Sequence, residues 1–218
     1  MGKIINQYDG ILMDSREEIW MAMWMEEAKK AGYIKSWKKC TFPMMIFMPV
    51  SFDYEKVTQL KTKVKKEWKK FTLLNDLEYT PDFIIEWTQK GFLKFVSRIG
   101  KQILPINPSS WFYCGYDLDN PKELHHITHV EVKPIFDRHG KTARFGIIQK
   151  ILWHVKRIFV DLIIVEDLFK GTFMPQEAMN DFKYKKLPTG KNKGKKKIGD
   201  WKTNYIPKTL NEFQNDVF

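Results

Sequence analysis

Cysteine is scarce in this chain: two among 218 residues, Cys40 and Cys114, with no CxxC or Cys/His spacing around either. That excludes a disulfide framework and a structural zinc site, and it makes a reducing cytoplasm the default compartment. Long apolar runs are missing too. IWMAMWM (19–25) and FPMMIFMPV (42–50) are too short to cross a bilayer, and the opening MGKIINQYDG has no apolar signal-peptide core. A protein that neither crosses membranes nor is secreted is expected. Acid is in deficit, with 26 Asp and Glu against 37 Lys and Arg, a formal net charge of +11. That sign favours a polyanionic partner over a neutral small molecule. No internal repeat is visible. Apolar residues are plentiful, at 43% with 15% aromatic, enough to fill one generous core.

The chain reads as alternating helices and strands. DSREEIWMAMWMEEAKKAGYI (14–34) predicts a deeply buried helix, opened by the capping-box spacing Ser15 to Glu18 and closed at Gly32 after Lys29 and Lys30. SWKKCTF and MMIFMPV predict a strand pair broken by Pro43. In 52–74, Val57, Leu60, Val64, Trp68 and Phe71 stand at helical spacing among seven lysines, which predicts a basic amphipathic helix. LEYTPDFIIEW (77–87) predicts a strand with Asp82, Ile84 and Glu86 on one face and Phe83 and Ile85 on the other. The stretch 88–120, rich in Gly, Pro and aromatics, reads as an insertion with one strand at WFYCGYDL.

THVEVKPIF (128–136) predicts a strand whose one face is His129, Glu131 and Lys133 and whose other is Val130, Val132 and Pro134. A helix follows in ARFGIIQKILWHVKR, with Phe145, Ile148, Leu152 and Val155 on one side, and then a buried strand in IFVDLIIVED (158–167). Strand, helix, strand in about forty residues describes a crossover between parallel strands.

An acid on the first helix, PD opening a strand, then ExK on the next strand with a helix and strand behind it resembles the PD-(D/E)XK nuclease superfamily. DSREE followed by AGYIKSW looks like its phage-type members. The resemblance covers 14–36, 77–87 and 128–166. It implies a restriction-endonuclease-like α/β core, a mixed sheet flanked by helices, at 1–170, followed by a Lys-rich extension at 171–218. Asp82 and Glu131 are 49 residues apart, farther than the family's two motifs usually stand, which the 88–120 insertion would account for.

Phosphodiester hydrolysis needs a divalent cation, and carboxylates are hard ligands suited to Mg²⁺ or Mn²⁺. By resemblance the ligands are Asp82, Glu131 and the Val132 carbonyl. Lys133 would orient or help deprotonate the water. Glu18 would position a second ion or its water, with Glu17 the competing choice and a plain capping role for Glu18 the other alternative. Arg144, Gln149 and Lys150 either reach the DNA backbone or form an ordinary helical surface. His125, His126 and His129 lack a metal-binding spacing and favour surface or loop roles, although His129 shares the face of Glu131.

Between Lys183 and Lys202 nine lysines face one Asp200, net +8. Such a segment cannot build a core, and Lys191, Lys193, Lys195, Lys196 and Lys197 are suited to bind phosphate through counterion release. Trp201, Tyr205, Ile206, Leu210 and Phe213 offer anchors for docking the tail on its own domain or within an assembly. The expected function is an Mg²⁺-dependent DNA endonuclease in a phage-infected host cytoplasm. The alternative is a virion structural protein with a nuclease-like fold, such as a homo-oligomeric ring of the head-to-tail connector. A non-catalytic nucleic-acid-binding protein requires the charge alone.

Overall fold

The computed structural model describes residues 6–99, 110–115, 126–134, 142–182, 184–186, 196–198 and 206–216. The chain opens with a hairpin, β1 (Asn6–Tyr8) and β2 (Ile11–Met13), turned at Asp9 and Gly10, both of which take the positive φ that a two-residue turn demands. Helix α1 (Arg16–Lys30) and strands β3 (Ile34–Lys39) and β4 (Met44–Phe47) come next. A long ribbon, β5 (Val50–Gln59) and β6 (Val64–Leu74), leads to β7 (Leu77–Tyr79) and β8 (Phe83–Trp87). Then follow α2 (Gln89–Phe95), β9 (Val96–Ile99), β10 (Phe112–Gly115), β11 (Ile127–Lys133) and α3 (Thr142–Lys156). The remainder is β12 (Val160–Ile164), α4 (Val165–Gly171), α5 (Gln176–Phe182), β13 (Tyr184–Lys186), β14 (Lys196–Ile198) and α6 (Leu210–Asn215).

The expected α/β class is what is found. Its centre is a four-stranded mixed sheet in the order β12, β11, β8, β3. Strands β3, β8 and β11 run antiparallel in turn, and β12 lies parallel to β11 after the α3 crossover. A parallel neighbour cannot be reached by a tight turn, and a helix is the usual bridge. The expected strand-helix-strand unit is therefore present.

Helix α1 begins and ends where its residues dictate. Ser15, extended at φ −142°, accepts the Glu18 N–H through its side chain at 3.1 Å. At the other end Gly32 takes φ +77°, the Gly32 N–H bonds the Lys29 carbonyl at 2.9 Å and the Tyr33 N–H bonds the Ala28 carbonyl at 2.9 Å, a complete Schellman closure. Trp20, Met21, Ala22, Trp24, Met25 and Ala28 are all buried, because the helix lies under one sheet face with later segments wrapped around it. Trp24 sits among Phe95, Phe112 and Phe173, with ring centroids 5.3–5.8 Å apart, and its indole N–H donates to Thr172 at 3.1 Å. Each such ring contributes roughly 1.5–3 kcal/mol by leaving water.

This main core takes Phe83, Ile85 and Trp87 from β8, Val130 and Val132 from β11, Ile163 from β12, Phe92 and Phe95 from α2, and Phe112 from β10. Phe173, Met174, Ala178 and Phe213 belong to it as well. The segment 88–120 is thus packed inside the protein where it is described, with the backbone N–H of Tyr113 donating to both oxygens of the buried Asp161 at 3.0 and 3.1 Å. A smaller core on the opposite sheet face joins Phe145 and Leu152 of α3 to Ile46 and Val160, with Tyr79 packed against it.

Two expectations are corrected. Strands β3 and β4 exist, but they do not pair with each other: β3 joins β8, and β4 joins β7. The stretch 52–74 is an antiparallel ribbon and not a helix. Its helically spaced apolar residues have no core to face, and Val57, Leu60, Val64, Trp68 and Phe71 are all at least 40% exposed. A helix there would stack lysines four apart at 61/65, 65/69 and 66/70, a repulsive arrangement. The ribbon instead sets Lys66 3.3 Å from Glu55 and places Glu67 between Lys65 and Lys69, and its Val, Thr, Tyr, Trp and Phe suit an extended backbone.

Candidate active site

The PD and ExK segments occupy neighbouring strands. Pro81 is buried at the entry to β8, where a residue without an N–H is tolerated. Next to it the Asp82 backbone is held from both sides, its N–H donating to the Val130 carbonyl and its carbonyl accepting from the Cys40 N–H, each at 2.9 Å. The Asp82 carboxylate then accepts the N–H of Val132 at 2.7 Å. Val130 pairs with Phe83, so the same register, carried one step on, sets Glu131 opposite Asp82.

Glu131 is almost fully buried, and each of its oxygens has a partner. The Tyr79 hydroxyl donates to Oε2 at 2.6 Å, and Lys133 Nζ lies 2.5 Å from Oε1. Burial first, and then the charge of Glu131, hold the Tyr79 hydroxyl far above its usual range, so it remains a donor at any working pH. On the other side of the sheet Glu18 is 4% exposed in the first turn of α1. It accepts from the Asp14 N–H at 3.1 Å and from Lys39 Nζ at 2.5 Å, and Lys39 also reaches Asp14 at 2.9 Å. Burial works against the Lys39 ammonium, but its bonds to Glu18 and Asp14 outweigh that and raise its pKa overall.

These groups sense one another. The Asp82 carboxyl is pushed up to about 7, chiefly by burial, then by the charge of Glu131, with Glu18 adding to the rise. The Val132 N–H and the Lys133 ammonium oppose it. Asp82 therefore lies within electrostatic reach of Glu18 on α1 and of Glu131 and Lys133 on β11, segments far from it in the chain. Asp82 and Glu131 are hard oxygen donors of the kind that suits a small divalent cation, while Glu18 acts on Asp82 from the α1 side only through its charge. Among the described residues no three His, Cys, Asp or Glu side chains stand together as a ready-made cage. The acids are engaged instead by Tyr79, Lys39, Lys133 and the Val132 N–H.

The other expected site residues divide. His129 lies on the Glu131 face beside Ile84 of β8, half-buried, and burial followed by the charge of Lys38 lowers it to about 4, so it is neutral at physiological pH. His126 stacks on Phe92 with ring centroids 4.6 Å apart. Gln149 turns inward, its amide donating to the Val160 carbonyl at 2.7 Å, which ties α3 to the start of β12. Lys150 is exposed on α3. The side chains of Arg144, Lys196 and Lys197, and all of His125, Lys191, Lys193, Lys195, Trp201 and Tyr205, lie outside the described residues. Ile206 is exposed, while Phe213 is buried.

Tyr79, Lys39 and Asp14 escaped the motif reading. Tyr79 stands three residues before Asp82, and strand alternation from Trp37 places Lys39 on the α1 side. The second was a usable signal. Comparison with protein-family models, curated proteins and solved structures gives no match for this chain.

Proposed function

We propose that the chain is a divalent-cation-dependent deoxyribonuclease with a restriction-endonuclease-like core of the PD-(D/E)XK type. What supports the fold reading is the order helix, three antiparallel strands, helix, parallel strand, in α1, β3, β8, β11, α3 and β12. The observation that carries the chemistry is the meeting of Asp82 and Glu131, 49 residues apart, with Lys133 beside them.

Asp82, Glu131 and the Val132 carbonyl would hold the cation. Bound there, Mg²⁺ or Mn²⁺ would polarise the scissile phosphate and lower the pKa of an attacking water. The chain's own contribution is placement and charge. Tyr79 fixes one oxygen of Glu131, leaving the other to Lys133. The Lys133 ammonium can orient a water or offset charge on a phosphate oxygen. Glu18, held by Lys39 and its helix cap, adds negative potential that favours a cation at Asp82.

The test is a plasmid-nicking assay with Mg²⁺ on the wild type, Asp82→Ala and Lys133→Ala. The wild type should nick or linearise supercoiled DNA, and each variant should be slower by roughly 100-fold or more. Absence of cleavage by the wild type on supercoiled, linear and branched DNA would sink the hydrolase reading.

A further inference from the structure

The β5/β6 ribbon has no core of its own. Its strands pair over ten positions, from Val50 with Leu74 to Gln59 with Val64. An isolated two-stranded hairpin is marginal in water and gains stability from a third strand or a packed helix. Here both faces are open: Phe52 is 51% exposed, Val57 56% and Trp68 74%. An arm of this kind is explained by what it touches outside the molecule.

Its two faces differ in charge. The register puts Phe52, Tyr54, Lys56 and Thr58 on one face with Lys65, Glu67, Lys69 and Phe71. That face carries three lysines and a single carboxylate, Glu67, shared between Lys65 at 2.9 Å and Lys69 at 2.8 Å. On the opposite face Asp53 and Glu55 balance Lys66 and Lys70 around Val57 and Trp68. The tip, closed by the Leu60 N–H on the Lys63 carbonyl, adds Lys61 and Lys63. One face and the tip are thus basic, and the other is neutral.

We propose that the ribbon is an arm laid along double-stranded DNA, with the Lys56/Lys65/Lys69 face and the Lys61/Lys63 tip on the phosphates. The inference rests on the nuclease reading for the identity of the polyanion. Charge decides against a second copy as occupant, because the ribbon has seven lysines against Asp53, Glu55 and Glu67, and two such arms would repel. Ten strand residues reach roughly 33 Å, close to one turn of duplex, and the major groove admits a two-stranded ribbon. The arm grows from the β4/β7 pair, whose Tyr79 bonds Glu131, so it starts beside the acids.

The test is duplex binding by fluorescence anisotropy on a 30-base-pair DNA in EDTA, where cleavage plays no part. The variant is Lys56→Gln, Lys61→Gln and Lys63→Gln combined, which leaves the Glu55 and Glu67 ion pairs intact. The slope of log affinity against log salt should become shallower by about 2.7, and affinity at 0.15 M salt should fall roughly 100-fold. Unchanged affinity and slope would overturn the arm. So would a Trp68→Ala variant that abolishes self-association in sedimentation while the lysine variant binds DNA normally, since the occupant would then be a second copy. The outcomes also separate the two readings. Arm-dependent binding without cleavage by the wild type removes the nuclease and keeps the arm; Asp82-dependent cleavage with no effect of the lysine variant does the reverse.

Discussion

Asp82 is placed where its charge is resisted. Burial and the nearby Glu131 and Glu18 raise its carboxyl to about 7 from an ordinary value of 3.8, so the folded protein binds this proton more tightly than the unfolded chain does. Stability therefore falls as pH rises from about 4 to about 7, and the loss is complete above that window. Asp82→Asn, which has no charge to bury, should match the wild type near pH 4 and exceed it by up to about 4 kcal/mol at pH 8 in urea unfolding. Under the proposed function the same variant should also fail to nick supercoiled DNA. A difference between variant and wild type no larger at pH 8 than at pH 4 would show that Asp82 is already well compensated. The residue types at this site were legible, since PD and EVK stand in plain view. Tyr79 as a partner of Glu131 was not, because it reaches in from β7, and Lys39 as a partner of Glu18 could be read only as far as the face of β3 it stands on.

At the scale of elements, helix α2 depends on close contacts that spacing alone conceals. Helix α2 starts on Thr88, whose hydroxyl accepts the Gly91 N–H at 3.1 Å and donates to the Gly32 carbonyl at 2.7 Å. Gly91 lies so near the end of α1 that an added Cβ would sit 1.9 Å from the Tyr33 carbonyl oxygen. Gly91→Ala must push α2 away and should cost about 3 kcal/mol in chemical denaturation, with Phe92 and Phe95 displaced from the core. A loss under 0.5 kcal/mol would mean that α2 moves freely. The ribbon teaches the opposite lesson: 52–74 has a helical apolar spacing, yet periodicity selects a helix only when one side has a core to meet. Val57, Trp68 and Phe71 meet none, so strand preference and charge pairing decide instead.

The whole molecule is held by a core that gathers residues from Met13 to Phe213. Phe213 of α6, 6% exposed, stacks on Phe95 with centroids 5.7 Å apart and meets Phe173 at 5.8 Å. The end of the Lys-rich extension is thereby joined to the sheet domain. Phe213→Ala should lower stability by about 3 kcal/mol and shift a single cooperative melt, whereas two separate transitions in calorimetry would show α6 docking independently. At this scale the charge is equally consequential. With a net charge of +11, any association with a polyanion should slow as salt is raised, which stopped-flow binding at several salt concentrations would check.

By itself the order of residues determined the α1 boundaries, the two-faced β11 strand, the α3 crossover and the α/β class. Each depends on local caps, alternation or chain length, which are short-range properties. Only the tertiary structure decided which strands are neighbours, that α2, β10 and Phe213 enter the core, that 52–74 is extended, and that Asp82 meets Glu131. Those outcomes depend on surfaces brought together across dozens of residues, where burial and charge pairing outweigh local preference.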